Sequence, residues 1–140
     1  MKEELIIAGF GGQGVLSTGK ILAYSGMLQG YEVSWLPSYG PEMRGGTANV
    51  TVVVSDSPVS SPIVQKCDTV IVLNQQSLDK FEGSVRPGGT LIYDTNGITH
   101  HPTRKDINIY TIKLLFLVST REHIVLRSAD SRFNLIICWE

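Results

Sequence analysis

The chain has 140 residues, of which 42% are hydrophobic and 18% are charged, and its formal net charge is -1. This length and composition predict a single folded domain with a substantial apolar core, and they exclude an intrinsically disordered chain. The near-zero charge gives no electrostatic reason to expect nucleic acid or an anionic membrane as a partner. No apolar run approaches the roughly 18 residues of a membrane-spanning helix.

The first residues and the cysteines predict a cellular location. The chain opens with charged residues rather than a secretory leader, and it has two cysteines far apart in the sequence. Such a chain cannot by itself supply the four thiolates of a zinc or iron–sulfur site. We therefore expect a cytoplasmic protein whose thiols are reduced.

Six apolar or β-branched runs predict strands, and two segments between them have helical spacing. The predicted strands are Leu5–Ala8, Tyr31–Leu36, Thr47–Val54, Asp68–Leu73, Thr90–Tyr93 and Asn108–Ile112. One helix, with small apolar residues on its inner face, follows the first strand and ends near Gly30; the other is Gln75–Phe81, capped by Asn74. We expect Pro37 to stop the second strand.

The order of these elements predicts the fold class. Residues 59–66 are expected to form a turn or a short helix, and the tail 113–140 one or two strands, or a helix and a strand. Strands that alternate with helices predict an α/β fold, a Rossmann-like three-layer domain with a mostly parallel sheet. Its first strand–helix turn is rich in glycine.

That turn, Gly9-Phe10-Gly11-Gly12-Gln13-Gly14, matches G-x-G-x-x-G between a strand and a helix. Small residues there let a phosphate reach the free N–H groups of the helix N-terminus. A dinucleotide site also needs an acidic residue at the end of the second strand, where this chain has Leu36, Pro37 and Ser38. Three alternatives remain: a dinucleotide site, a turn without a ligand, and a turn that holds a phosphate-bearing ligand or a partner's backbone.

A second motif is the loop from Ser38 to Thr47, which places large and charged side chains among glycines and a proline. Glycine permits tight turns and close approach of a partner, and Arg44 offers a fixed fork of donors to a phosphate or a carboxylate. A loop that only joined two strands would rarely contain such side chains. We therefore predict that it is a contact surface.

Three other positions have chemically capable side chains. Cys67, beside a buried strand, is more typical of a core residue than of a nucleophile. The pair His100-His101 is more typical of solvated side chains than of a metal or catalytic site. Asp94 ends the fifth strand, at the edge where open α/β sheets bind ligands.

Residues 9–15, 37–50 and 86–94 closely resemble the gamma subunit of 2-oxoacid:ferredoxin oxidoreductases, and the resemblance covers roughly residues 3–112. The glycine turn alone is a weak signal, whereas both motifs at this separation are specific. The run Glu42–Gly46 is more similar to the 2-oxoglutarate and branched-chain 2-oxoacid members than to the pyruvate members. We therefore predict a gamma-type domain over 1–112, followed by a divergent segment, 113–140, that is truncated or altered.

The resemblance implies a subunit of a complex that oxidatively decarboxylates 2-oxoglutarate to succinyl-CoA and reduces ferredoxin, with no activity of the isolated chain. It implies that this chain binds no cofactor alone, and that thiamine diphosphate, magnesium and iron–sulfur clusters belong to the other subunits. The partners would be those thiamine-binding and ferredoxin-like subunits. Alternatives are a branched-chain 2-oxoacid or pyruvate complex, and a free-standing nucleotide-binding regulator.

The resemblance also implies a binding site for coenzyme A and for the partner subunits. Its residues are Gly11, Gly12, Gln13, Gly14, Ser38, Tyr39, Glu42, Met43, Arg44 and Gly45. Two hypotheses stand for Arg44. It pairs with a coenzyme A phosphate or a partner's carboxylate, or it pins its own loop through Glu42.

Overall fold

The computed structural model describes residues 1–39 and 47–113, together with the backbone of two later strands. The elements are β1 (Lys2–Phe10), α1 (Val15–Leu28), β2 (Glu32–Tyr39), β3 (Thr47–Ser55), β4 (Cys67–Val72), α2 (Gln75–Phe81), a 3₁₀ turn (Glu82–Ser84), β5 (Val85–Asp94), β6 (Asn108–Ile112), β7 (His123–Arg127) and β8 (Asn134–Cys138).

The main sheet has six strands in the order β2-β3-β1-β4-β5-β6. β1, β4, β5 and β6 pair in parallel, whereas β3 pairs antiparallel with both β1 and β2. β3 alone therefore runs against the other five strands. The predicted mostly parallel sheet is confirmed, with one reversed strand that the sequence did not reveal.

Two helices cover opposite faces of this sheet. Along β1, Ile6 and Ala8 pack in a core with Leu78 of α2, whereas Ile7 packs with Val15 of α1. Since successive side chains of a strand point to opposite faces, α1 and α2 lie on different sides of the sheet. The three-layer α/β architecture is confirmed.

α1 lies very close to the sheet because its inner face contains glycine. A Cβ added to Gly19 would stand 2.5 Å from Cγ1 of Val50, and one added to Gly26 would stand 3.0 Å from Cγ2 of Val33. Both glycines are buried. The sequence-based prediction of a helix with a small-residue face against the sheet is confirmed.

β1 and β5 are longer than predicted, with β5 beginning at Val85 instead of Thr90. The structure also differs from the predicted elements in two further respects. β2 continues through Pro37 to Tyr39, where a stop was predicted. β2 is an edge strand that pairs only with β3, so a proline is tolerated there without breaking the sheet. Residues 59–66 contain neither helix nor strand, so the predicted alternative of a short helix is wrong.

The tail contributes two strands, one of the alternatives that the sequence left open. β7 and β8 form a separate antiparallel pair.

Side-chain ion pairs join the amino ends of the parallel strands. Arg86 of β5 reaches the carboxylate of Asp68 at 2.5 Å and also pairs with Glu4 of β1. Lys2 Nζ lies 2.6 Å from the second oxygen of Glu4. The hydrogen bond to Asp68 is the main cause that raises the pKa of Arg86. The amino ends of these strands, which form one edge of the sheet, are therefore held together by contacts within the chain.

Candidate functional site

The two motifs singled out in the sequence leave the sheet side by side at the opposite edge. β1 ends at Phe10, which faces Thr47 of β3 in the ladder. β2 ends at Tyr39, which faces Ala48. The glycine turn after β1 and the 40–46 connection between β2 and β3 therefore start from neighbouring positions. This proximity follows from the reversed direction of β3.

The same edge contains the topological switch point of the sheet. α1, which follows β1, covers the side of β2 and β3, whereas α2, which follows β4, packs in the other core with Leu78. The connection after β1 therefore crosses one face of the sheet, and the connection after the neighbouring strand β4 crosses the other face. Open α/β sheets bind ligands at such a point, outside the carboxyl ends of the strands.

The glycine turn exposes its backbone at this edge. Gly11, Gly12 and Gly14 are exposed, and Gly12 and Gly14 have φ angles of 93° and 77°, which favour glycine. No heavy atom of residues 1–39 and 47–113 would lie within 4 Å of a Cβ added at Gly12 or Gly14. Gly14 is the N-cap of α1, and the first turn of that helix contains no acidic side chain. The N–H groups of this helix N-terminus therefore fit an anion such as a phosphate.

Gln13 lies in the gap between β1 and β4 instead of on the exposed rim of the turn. Its Oε1 accepts a hydrogen bond from the backbone N–H of Phe10 at 2.6 Å. Its Nε2 donates to the carbonyl oxygen of Leu73 at 3.3 Å. Gly9 makes room for it, since a Cβ there would stand 2.7 Å from the same Oε1. The amide of Gln13 is thus bonded to the backbone of its own chain.

The remaining predicted site residues belong to the second motif. Ser38 is exposed near the end of β2, opposite Asn49 in the ladder, and the backbone of Tyr39 ends that strand. Glu42, Met43, Arg44 and Gly45 lie outside the described residues. Their role in binding, including both hypotheses for Arg44, stays a prediction.

Buried polar groups lie at the same edge, after β4. Asn74 caps α2 as predicted, with its Oδ1 accepting from the N–H of Ser77 at 2.8 Å. The Asn74 Nδ2 and Ser77 Oγ atoms are buried and have no hydrogen-bond partner within the part of the chain that the structure describes. The cap was visible in the sequence, whereas the burial of Ser77 depends on how α2 packs.

Asp94 ends β5 at this edge, as predicted, and its side chain is buried. Its Oδ1 accepts a hydrogen bond from the backbone N–H of Asn96 at 3.0 Å.

Cys67 has the properties of a core residue. Its side chain is buried in the core on the α2 side of the sheet. Burial, followed by the charge of Asp68, raises the pKa of the Cys67 thiol to about 11. The thiol therefore stays protonated at neutral pH, which disfavours a nucleophile.

The histidine pair is exposed, as the solvated interpretation requires. Nδ1 of His101 lies 2.7 Å from the hydroxyl oxygen of Tyr93, and Nδ1 of His100 lies 3.0 Å from Oγ1 of Thr99. Across residues 1–39 and 47–113, no three His, Cys, Asp or Glu side chains are grouped so that they could hold a metal ion. Nor does any helix in those ranges have the length and apolar character needed to cross a membrane.

The comparisons with known proteins agree on one family. Residues 4–126 match the family described as pyruvate ferredoxin/flavodoxin oxidoreductase. The chain is 33% identical over 148 residues to 2-oxoglutarate synthase subunit KorC of Methanocaldococcus jannaschii, a match that covers 100% of this chain and 79% of the relative. It is 46% identical over 125 residues to ketoisovalerate oxidoreductase subunit VorA of Methanothermobacter marburgensis, covering 89% of this chain.

The chain spans only 26% of the length of that VorA relative. Among solved structures, it is similar to the gamma subunit of the keto/oxoacid ferredoxin oxidoreductase from Geobacter sulfurreducens. The TM-score is 0.66 and the identity 32%, over 81% of this chain and 60% of the other. On the family match and the KorC relative together, this chain belongs to the pyruvate ferredoxin/flavodoxin oxidoreductase family.

Proposed function

We propose that the chain is the gamma subunit of a cytoplasmic 2-oxoacid:ferredoxin oxidoreductase that uses thiamine diphosphate, magnesium and iron–sulfur clusters. The complex would convert 2-oxoglutarate and coenzyme A to succinyl-CoA and carbon dioxide, with transfer of electrons to ferredoxin. The isolated chain would have no turnover. One observation carries this proposal: the two motifs typical of the gamma subunit start from neighbouring positions, Phe10 and Tyr39, at one edge of the sheet.

That edge would supply part of the coenzyme A site. The exposed backbone of Gly11, Gly12 and Gly14 would face a phosphate of coenzyme A at the N-terminus of α1. Side chains of the second motif would contact coenzyme A or the partner subunits; these are Ser38, Tyr39, Glu42, Met43 and Arg44, with Gly45 in the same loop. Thiamine diphosphate and the clusters would be held by the other subunits. The burial of Cys67 in the hydrophobic core supports that division, because its thiol packs among apolar side chains there.

The outer face of α1 supports a role as a subunit. Ile21, Tyr24 and Leu28 lie at helical spacing on the side away from the sheet, and they are 40%, 55% and 88% exposed. Lys20 is the single charged residue in the sequence of this helix. A helix that is apolar on both faces is expected to be buried on both. We propose that the other subunits of the complex cover this face.

The domain organisation is also a proposal. We propose a gamma-type domain over 1–112 and a distinct segment over 113–140. Support comes from the sheet order, since among the described strands β6 is the last of the main sheet and β7 and β8 form a sheet of their own. The family match itself extends to residue 126.

The relatives are named for two different substrates, so a second substrate should be tested. The KorC relative supports 2-oxoglutarate because the alignment spans most of both chains. The VorA relative is more similar in sequence, at 46% identity, and this favours ketoisovalerate as the second candidate. A free-standing nucleotide-binding regulator is disfavoured, because the family match covers both motifs.

The experiment is anaerobic co-expression of the chain with the thiamine-binding and ferredoxin-like subunits encoded in its source genome, followed by purification through a tag on this chain. Reduction of ferredoxin would be measured with 2-oxoglutarate, ketoisovalerate or pyruvate, each with and without coenzyme A. Co-purification and coenzyme A-dependent reduction with 2-oxoglutarate are expected. A preference for ketoisovalerate would replace the substrate but keep the subunit assignment. A chain that purifies alone and binds NAD tightly would support the regulator instead.

A further inference from the structure

The side-chain amide of Gln13 occupies a position in the β1–β4 ladder. The last direct bond of this ladder runs from the N–H of Leu73 to the carbonyl oxygen of Ala8 at 2.9 Å. In a parallel ladder, a residue that donates its N–H to one residue of the neighbouring strand accepts, at its carbonyl oxygen, from the N–H two positions further along that strand. That direct bond would join the N–H of Phe10 to the carbonyl oxygen of Leu73.

Gln13 is inserted between these two groups. The N–H of Phe10 donates to Oε1 of Gln13, and Nε2 of Gln13 donates to the carbonyl oxygen of Leu73. The side-chain amide therefore has the role of one extra peptide group, and it satisfies both backbone groups where the strands diverge. A buried backbone group without a partner would cost free energy, so the amide stabilises the opening of the sheet.

The rest of the glycine turn has few anchors of its own. Gly12 and Gly14 have no side chains, and a Cβ added at either would meet no heavy atom of the described part of the chain within 4 Å. The backbone N–H of Gln13 also bonds the carbonyl oxygen of Phe10 at 3.1 Å. Gln13 thus connects the exposed rim of the turn to both neighbouring strands.

We infer that Gln13 is a positioning residue, which fixes the exposed backbone of the glycine turn for its ligand without contacting that ligand. This inference rests on the proposed function, in which the turn faces coenzyme A. One N–H of its Nε2 is directed at the carbonyl oxygen of Leu73 and its Oε1 accepts from the N–H of Phe10, so two backbone groups of this chain fix the orientation of the amide.

The test uses the reconstituted complex with two variants of similar side-chain size. Gln13→Met fills the gap but makes neither hydrogen bond. Gln13→Glu reproduces both bonds only while its carboxyl group is protonated, because the ionised form has no donor for the carbonyl oxygen of Leu73. That carbonyl favours the neutral acid and raises the pKa of the introduced group. The Michaelis constants for coenzyme A and for the oxoacid are measured across pH beside the wild type.

For Gln13→Met we expect the Michaelis constant for coenzyme A to rise about tenfold at every pH, as befits the loss of two modest hydrogen bonds. The constant for the oxoacid stays unchanged. For Gln13→Glu we expect a Michaelis constant for coenzyme A close to the wild-type constant at the acidic end of the pH range. The ratio of the two constants should grow as pH rises. The inference would be overturned if the Michaelis constant of Gln13→Met for coenzyme A were within about twofold of the wild-type constant. It would also be overturned if the ratio of the Gln13→Glu constant to the wild-type constant did not change with pH.

Hydrogen exchange separates this inference from the proposed function. The amide of Phe10 should exchange slowly in the wild type and faster in Gln13→Met, whether or not the complex turns over. Equal exchange in both would overturn the anchoring role. A wild-type complex without coenzyme A-dependent turnover would instead refute the proposed function and leave the exchange result standing.

Discussion

At the residue scale, the absence of a side chain at Gly9 leaves the space that the amide of Gln13 occupies. A Cβ at Gly9 would stand 2.7 Å from Oε1 of Gln13, 3.0 Å from Cγ2 of Val15 and 3.1 Å from Cβ of Leu73. The G-x-G-x-x-G pattern predicted the position of the turn but not this role of its first glycine. The role depends on the register of β1 against β4, which a single sequence does not contain.

The first prediction concerns Gly9→Ala. The added methyl group displaces the amide of Gln13 or shifts α1, so we expect a loss of about 1–3 kcal/mol in the free energy of unfolding. Urea denaturation measures it. Gly83→Ala is the matched control, since a Cβ at Gly83 meets nothing within 4 Å. A Gly9 variant as stable as the control would contradict the crowding at this position.

The second prediction concerns pH and Cys67. Its folded pKa is about 11, against an ordinary value of 9.0. Between these values the unfolded chain loses the thiol proton while the folded chain keeps it. The unfolded state then binds fewer protons, so stability falls as pH rises through this window.

The measurement compares Cys138→Ser with Cys67→Ala/Cys138→Ser, by urea denaturation from pH 8 to 11. The first protein should lose more stability between about pH 9 and pH 11 than the second. Parallel curves for the two proteins would show that Cys67 does not titrate on unfolding.

At the element scale, local signals identified most helices and strands, and long-range pairing decided the rest. α2 and β6 have the predicted bounds. The β-branched run of β3 predicted a strand but no direction, because such a run suits parallel and antiparallel neighbours alike. Pro37 was misinterpreted as a stop because its tolerance depends on β2 being an edge strand, which is a property of the whole sheet.

The third prediction tests the start of α2. Asn74→Ala removes the side-chain acceptor for the N–H of Ser77, so we expect a loss of about 1 kcal/mol in unfolding free energy. Asn74→Ser keeps a capping oxygen and should recover much of that loss. The two variants are compared by urea denaturation, and an alanine variant as stable as the serine variant would argue against the cap.

At the scale of the whole molecule, the two edges of the sheet differ in kind. The edge with Glu4, Asp68 and Arg86 is joined by ion pairs between its own strands. The opposite edge exposes the glycine turn and Ser38, near the end of β2. The sequence named the residues of this second edge, but only the sheet order brought its two motifs together.

The fourth prediction tests the outer face of α1. Tyr24 is 55% exposed on that face, so Tyr24→Glu should leave the folded chain stable. It should weaken assembly with the partner subunits, because a charge would be buried in an apolar contact. Pull-down yield and the unfolding midpoint are measured together. Gln76→Glu, at an exposed position of α2, is the control, and equal yields for both variants would place the partners elsewhere.

The reversed strand β3 has a consequence for how such a domain changes during evolution. Its pairing with β2 runs without interruption from Glu32↔Ser55 to Tyr39↔Ala48, so the register of the hairpin is set by the strands themselves. A graft of residues 40–46 from a relative would then be expected to leave the pairing of residues 32–39 with residues 48–55 in place. Such grafts would let a family retune what its shared edge recognises while it inherits the scaffold unchanged.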